Sequence, residues 1–465
     1  MSLSSALNNA KSGLSVNALR ADLIARNVSN AETEGYTRKT AKLATGNQGG
    51  VYVASVDRNV DSLLDRINRN NIAKLSAQQT VLDGMKAYTD YLGQPEDGTS
   101  PVAYMANLNS AMVALSAVPY DRSAQVATIS AARELVRNIN DLSGNLSSVR
   151  NEVELNIRYD VSNLNSSLQE IGKLNRLIVS TPPGTTKMAE YEDRMGQLLD
   201  KVAGFADIQT VKDKSGMISV LTTGGTELVV GQNAYDIGYD SMTGRLTAGD
   251  VDITPGGVTR AFEGGSLAGL FTLRNETIPE WSAQLDLLAA SMIEGFEREA
   301  PIGASGLGLF TDNGGAFDSA NIAGMASRLR INSLVNPDLG GDPSLLQKGT
   351  DPARPEGDDS VIRNMIALFN APVGIPTGSL GDGGSLSRLT SSIVSMQQKA
   401  RAETETATSI TRASASTVSA SRQNLQGVNI DDELISLQLV EQSQAANARC
   451  LNTVVSMMDT ILEIV

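Results

Sequence analysis

Residues 3–38 read LSSALNNAKSGLSVNALRADLIARNVSNAETEGYTR, and the spacing of their apolar side chains decides the fold. Leu3, Leu7, Ala10, Leu14, Asn17, Ala21, Ile24 and Val28 recur at alternating steps of four and three, the repeat that lines one side of a helix for a partner helix. The other end of the chain, Gly427 to Val465, has the same repeat in Leu434, Leu437, Glu441, Gln444, Ala448, Leu451, Val455, Met458, Leu462 and Val465. There Val440, Val454 and Ile461 widen the stripe. Chain ends fray unless tied down, so two long amphipathic helices at the termini need a cover for their apolar sides. Each can cover the other. The first carries Lys11, Arg20 and Arg26 against Asp22; the second carries Asp431, Asp432, Glu433, Glu441, Asp459 and Glu463 against Arg449. Opposite charge favours this pair over self-pairing of either helix. The pattern alone fits two helices of an ordinary bundle core as well as it fits a polymerisation surface.

Length and composition narrow the choice. A chain of 465 residues holds more than one compact unit. A net charge of −14 argues against electrostatic binding of nucleic acid or an anionic membrane. Histidine is absent, which removes imidazole bases, Ser-His and Cys-His nucleophile systems and histidine metal sites. The single cysteine, Cys450, cannot close an intrachain disulfide and reads as a small apolar residue near the packing face of its helix. Residues 1–30 alternate instead of forming a continuous apolar core, so no secretory signal is read there, and no run reaches membrane-spanning length. Composition alone therefore suggests the cytosol. Aromatic residues make up only 4%, so the helical core is built from aliphatic and small side chains, as in long bundles and coiled coils.

From the first helix onward, Asn27, Asn30 and Gly35 predict a structured turn, and 37–56 permits extended segments. Helical periodicity returns from about Asp57 to Gly93 and again from Pro101 to Val118. Asp121 or Ser123 can cap the next helix. That helix carries Ile129, Ala132, Val136, Ile139, Leu146, Val153, Ile157, Val161, Leu164, Leu168, Ile171 and Ile178 with no proline before Pro182, a length on the order of 80 Å. Helices of that length build rods rather than compact enzyme cores. A shorter helix spans 188–202. Short β-rich runs at 207–211, 216–221, 226–230, 234–237, 245–247 and 251–253, separated by glycine turns, then predict a small inserted β domain. Leu267 to Phe296 is helical again, 300–376 is rich in glycine and proline, and 385–424 is a helix crowded with Ser, Thr and Gln. The expected fold is mainly α: a long antiparallel helical bundle or coiled coil formed by the N- and C-terminal parts, with a small inserted β-rich domain. The expected division is a terminal coiled-coil part, 1–38 plus 427–465; a long-helix bundle, 39–202 plus 259–300 plus 377–426; and an outer β-rich or irregular part, 203–258 plus 301–376.

Ser12-Gly13-Leu14, Asn27-Val28-Ser29-Asn30 and Thr33-Glu34-Gly35-Tyr36-Thr37-Arg38 resemble the N-terminal signature shared by axial proteins of the bacterial flagellum. Gly427-Val428-Asn429-Ile430-Asp431-Asp432-Glu433 resembles the segment opening the C-terminal helix in the family of flagellar hook-associated protein 1. Asp193-Arg194-Met195-Gly196-Gln197-Leu198-Leu199 and Gly264-Gly265-Ser266-Leu267-Ala268-Gly269-Leu270 are similar to internal pieces of that family. The resemblance spans nearly the whole chain in the expected order. It implies a structural subunit of the extracellular flagellum at the hook–filament junction, exported unfolded by the flagellar type III apparatus, which overrides the cytosolic reading. Implied partners are other copies of the chain, the hook protein, hook-associated protein 3 on the filament side and an export chaperone. Many members carry a further outer domain, for which Phe310 to Pro376 is too short. Other axial proteins, hook-associated protein 3 or flagellin, are the alternatives, with a secreted helical effector or peptidoglycan-cleaving enzyme further off.

No Walker loop, dinucleotide fingerprint or G-x-S-x-G occurs. Asp312-Asn313-Gly314-Gly315 and Gly381-Asp382-Gly383-Gly384 lack EF-hand spacing and its closing Glu and read as turns. No catalytic residue, cofactor or metal is expected. The expected assembly interface is Leu3, Leu7, Leu14, Ile24, Val28, Leu434, Leu437, Leu451, Val455, Met458 and Leu462, each returning roughly 1.5 to 3 kcal/mol on burial. An isolated pair cannot realise all of that, so the termini are expected to be loose in the monomer and ordered in the assembly.

Overall fold

The computed structural model describes residues 3–464 apart from 34, 47–48, 258–260, 373 and 376–383; the Gly381-Asp382-Gly383 turn read above, Glu34 and Val465 lie outside the described residues. The chain begins with helix α1 (Leu3–Ser29), followed by an antiparallel hairpin of β1 (Lys39–Thr45) and β2 (Val51–Arg58), irregular between Lys42 and Leu43. Then come α2 (Ser62–Leu92), α3 (Pro101–Ala117), α4 (Arg122–Ser180) and α5 (Thr186–Phe205). Strands β3 (Ile208–Lys212), β4 (Ile218–Thr222), β5 (Glu227–Val230) and β6 (Asn233–Ala234) form one antiparallel meander. A second joins β7 (Ile237–Asp240), β8 (Arg245–Ala248) and β9 (Val251–Asp252). Helices α6 (Ser266–Thr272) and α7 (Ile278–Glu299) precede β10 (Phe310–Asp312), α8 (Met325–Arg328), β11 (Leu329–Ile331), α9 (Leu345–Lys348) and α10 (Ser360–Ala367). The chain closes with α11 (Leu386–Gln426) and α12 (Ile430–Ile464).

The helix starts follow the chemistry of their caps. Ser100 Oγ accepts from Ala103 N ahead of Pro101, a residue whose missing N–H costs nothing in a first turn. Thr185 Oγ1 accepts from Met188 N, and the Asp121 carboxylate, not Ser123, caps α4 through Ser123 N and Ala124 N. Every residue of the α4 stripe named from the sequence is buried, which is what a repeat sustained over 59 residues predicts. One helix expected to be continuous, from Leu267 to Phe296, is interrupted by a π-helical turn at Leu273–Thr277. Pro279 explains it: a proline inside a helix removes one backbone donor and crowds the carbonyl four residues earlier, and a widened turn relieves that conflict.

The chain divides into two compact units. The first contains 1–77, 158–268 and 409–465, and thus α1, the hairpin, α5, both β-meanders and α12. In it Asn165 and Asn175 on α4 hold the meanders: Asn165 exchanges two hydrogen bonds with the Ile237 backbone, and Asn175 Nδ2 donates to the carbonyls of Ile218 and Gly231. The second unit, 78–157 and 269–408, is built on α7, with Trp281 tilted against Tyr88 at 5.2 Å and Phe296 meeting Phe310 and Phe369 edge to face. Among the described residues no helix is long and apolar enough to cross a membrane.

Candidate assembly interface

Helices α1 and α12 lie antiparallel, in the register that sets Gly13, Asn17 and Asn27 against Asn447, Ser443 and Glu433. A Cβ built on Gly13 would stand 2.6 Å from Asn447 Nδ2, so glycine here leaves room for the Asn447 side chain, which any larger residue would displace. Four residues on, Asn17, the one clearly polar member of the N-terminal stripe, is buried and donates to Ser443 Oγ at 2.9 Å. Extrapolating this register brings Leu3 level with Met457, so the last two turns of α12 run past it.

At the opposite end the pair is fixed by a polar joint. Asn27 is buried; its Nδ2 donates to Lys39 O at 2.9 Å and to Glu433 Oε2 at 3.2 Å, and its Oδ1 accepts from Tyr36 OH and Lys39 N. Glu433, also buried, receives Arg38 Nε at 2.6 Å, while Arg38 N donates to the Gln426 carbonyl. Behind it Asp193 of α5 takes the Lys39 ammonium, the Thr37 hydroxyl and Arg58 Nε, the last at 2.7 Å. Lys39 Nζ sits 3.7 Å above the Tyr36 ring. Burial, then the nearby Asp193 charge, pushes the Tyr36 phenol up to about 12, because the phenolate is the form that both disfavour. A buried charge left without its partner costs several kcal/mol, so these groups stand or fall together.

Two neighbouring clusters hold the joint in place. Arg422 of α11 reaches Asp65 at 2.8 Å and Asp200 at 2.6 Å, with Arg69 Nη1 3.7 Å from the latter. Burial raises the Asp200 carboxyl above its usual range against the pull of Arg422. Gln426 then donates to Asp65 Oδ1 and the Asp61 carbonyl, directly before the chain turns into α12. On the other flank, Ser12 Oγ accepts from Val51 N at 3.1 Å and pins the hairpin to α1, while Leu23, Val56 and Ala189 form an apolar contact with Leu19, Ala41 and Val53 around it.

The sequence motifs meet here. Asn30 Nδ2 donates to the Arg26 carbonyl and caps α1; Thr33 and Tyr36 close the following turn through backbone bonds. Gly35 adopts φ +74°, and a Cβ there would stand 2.9 Å from Gln197 Cγ, so two separate motifs touch at a position only glycine fills without strain. Gly427 and Val428 are half-buried; Asn429 Oδ1 accepts from Asp431 N, and exposed Asp431 sits in the first turn of α12, where the helix dipole favours it. In the internal motif, Gly265 N donates to the Ala73 carbonyl at 2.8 Å.

Of the residues expected at the interface, Ile24 is buried, and Leu3, Leu7, Leu14, Val28, Leu437 and Leu451 are half-buried. Leu434, Val455, Met458 and Leu462 are exposed, Leu462 by 74%. On α12 the buried or half-buried Glu433, Leu437, Val440, Ser443, Asn447, Leu451 and Val454 share one side, on which Glu433, Ser443 and Asn447 meet α1. Ile435, Leu439, Met457 and Ile461 are exposed as well, and no described residue covers them. Cys450, read from the sequence as near the packing face, is exposed. Asn27, Asn30, Tyr36, Arg38 and Asp193 stand out in the sequence only as motif letters; Arg58 and Gln426 carry no periodic signal and emerge from the geometry alone.

These features define a class: a mainly helical structural subunit with its chain ends paired on a polar joint and apolar surface left open along them. Residues 88–317 match the family described as flagellar hook-associated protein FlgK helical domain. Flagellar hook-associated protein 1 of Escherichia coli K12 is 23% identical over 99% of this chain and 100% of its own length. The protein of that name from Bacillus subtilis 168 is 22% identical over 98% and 97%. The Salmonella typhimurium LT2 protein is 23% identical over 64% and 56%. The solved flagellar hook junction protein FlgK from Burkholderia pseudomallei aligns with a TM-score of 0.45 at 22% identity, over 53% of this chain and 46% of that one. Residues 88–317 thus carry the FlgK helical domain, and the chain is similar to flagellar hook-associated protein 1 over nearly its whole length.

Proposed function

We propose that this protein joins the flagellar hook to the filament and does so by completing its open terminal surface with neighbouring subunits. It is a structural component of the bacterial flagellum. The observation that carries the reading is the apolar surface exposed on α12: Leu434, Ile435 and Leu439 near its start, and Val455, Met457, Met458, Ile461 and Leu462 in its last turns, which run past Leu3 of α1. Clusters of exposed large apolar side chains of this kind mark contact sites for protein partners. The part formed by 1–38 and 427–465 is the inner layer of the tube, the long helices the next, and the β-meanders the outer surface.

The contacts are heterologous, with the hook protein on one side and hook-associated protein 3 on the other, because a self-complementary face would close into a dimer instead of continuing the axis. The chain carries no catalytic role. It is exported through the flagellar type III apparatus with the help of a chaperone, and a sequence with one cysteine forms no disulfide loop to obstruct threading. Removing the gene tests the reading: cells are expected to carry hooks without filaments and to shed filament subunits into the medium. Filaments anchored normally on such cells would overturn it.

A further inference from the structure

We propose that the groove between α1 and the β1–β2 hairpin is the seat for the last turns of α12, residues 455–462, of a second copy of this chain. The proposal rests on the assembly reading above and adds to it the contact by which one copy engages the next. The groove has a volume of about 430 Å³, nearly three times the roughly 150 Å³ that accommodates a benzene ring. Its floor is apolar, made by Val16, Val51 and Val53 with the exposed Tyr52, and its rim carries Lys11 and Ser15.

What fits is a short apolar helix edge bearing an acid, and this chain supplies one. Val455, Met458 and Leu462 share one side of α12, all exposed, and Asp459 adjoins Met458. Between Leu3 and Ala21, α1 carries Lys11 and Arg20 and no acid, so an incoming Asp459 meets only positive charge there. The α12 end of the same chain cannot occupy the seat. By the register of Gly13 with Asn447 and Asn17 with Ser443, Ser15 lies level with Ala445, and Met458 is thirteen residues further, roughly 20 Å along the axis. The occupant therefore comes from another copy, displaced along the axis, which makes the contact heterologous and open-ended.

Cysteine pairing tests the seat. Replacing the native thiol (Cys450→Ala) and adding Ser15→Cys with Met458→Cys gives a full-length chain whose two new thiols are too far apart to join internally, since a disulfide needs Cα atoms within about 7 Å. Mild oxidation of flagella assembled from it is expected to yield species of twice the chain mass and higher. The rate should be at least about tenfold above a control pairing Met458→Cys with Met242→Cys on the exposed β7–β8 turn, as seated groups share a high effective concentration. Tyr52→Cys with Leu462→Cys, both exposed positions, gives a second, independent pair. Absence of linked dimers for both pairs in flagella that contain the protein overturns the seat and leaves the assembly reading intact. Linkage to a protein of different mass also overturns it. Absence of the Cys450→Ala parent itself from the flagellum would instead overturn the assembly reading.

Discussion

Helices α7 and α12 are both long and both rich in aliphatic residues, yet they end differently. On α7 residues from Ile278 to Phe296 are buried on nearly every side, including the polar Gln284, Asp286 and Ser291. On α12, among the side chains described, only Glu433 and Val440 are buried, while Leu434, Ile435, Leu439, Val455, Met457, Met458, Ile461 and Leu462 are exposed. A helix that is apolar all round is stable only when surrounded, and one chain surrounds α7 without help. The contrast shows that apolar content does not locate the core; it locates surface that must be covered, by the same chain or by another.

Breaking each region in turn separates the two kinds of surface. Phe296→Ala removes a fully buried ring set against two others and should destabilise its own unit by about 3–5 kcal/mol, read as a lowered denaturant midpoint. Glu433→Ala strands Asn27 and half-exposed Arg38 and should cost roughly 2–4 kcal/mol, seen as lost exchange protection at the α1–α12 pair with α7 unaffected. Gly13→Val wedges the pair apart at Asn447 and should cost about 1–3 kcal/mol by the same measurement. Tyr36→Phe removes one hydrogen bond to Asn27, about 1 kcal/mol.

That last variant also carries a pH signature. The Tyr36 phenol ionises near 10 in the unfolded chain and at about 12 in the folded one, so between those values the folded state holds the extra proton. Its contribution is fully present below pH 10 and is lost as pH rises to 12; Tyr36→Phe should flatten that segment of the stability–pH curve. The smallest effect is at the open surface. Leu462→Ser should leave the free chain's unfolding midpoint within about 0.5 kcal/mol of the parent, yet reduce its incorporation into flagella.

Much of this was legible because burial in one chain leaves a period. The α4 stripe, the glycine-punctuated strands and the helix ends at Gly93, Pro119 and Pro182 follow from spacing and caps alone. The two terminal helices were legible as apolar stripes. The phase of the second was not, because its seam with α1 is lined by Glu433, Ser443 and Asn447, polar residues chosen to satisfy Asn27 and Asn17 and to fit against Gly13. A hydrophobic repeat cannot register such a seam. Likewise Asp193 gains its role by meeting Lys39 and Arg58 across more than a hundred residues, and Asn165 and Asn175 look like ordinary helix-surface residues until the strands they hold are in place.

Amide hydrogen exchange on the full-length protein, free and then assembled into flagella, addresses the central claim directly. In the free chain the α12 amides from Leu451 onward should exchange far faster than those of α7, and assembly should slow the former while leaving the latter unchanged. Equal, strong protection of both helices in the free chain would contradict the account, since α12 would then be complete without a neighbour.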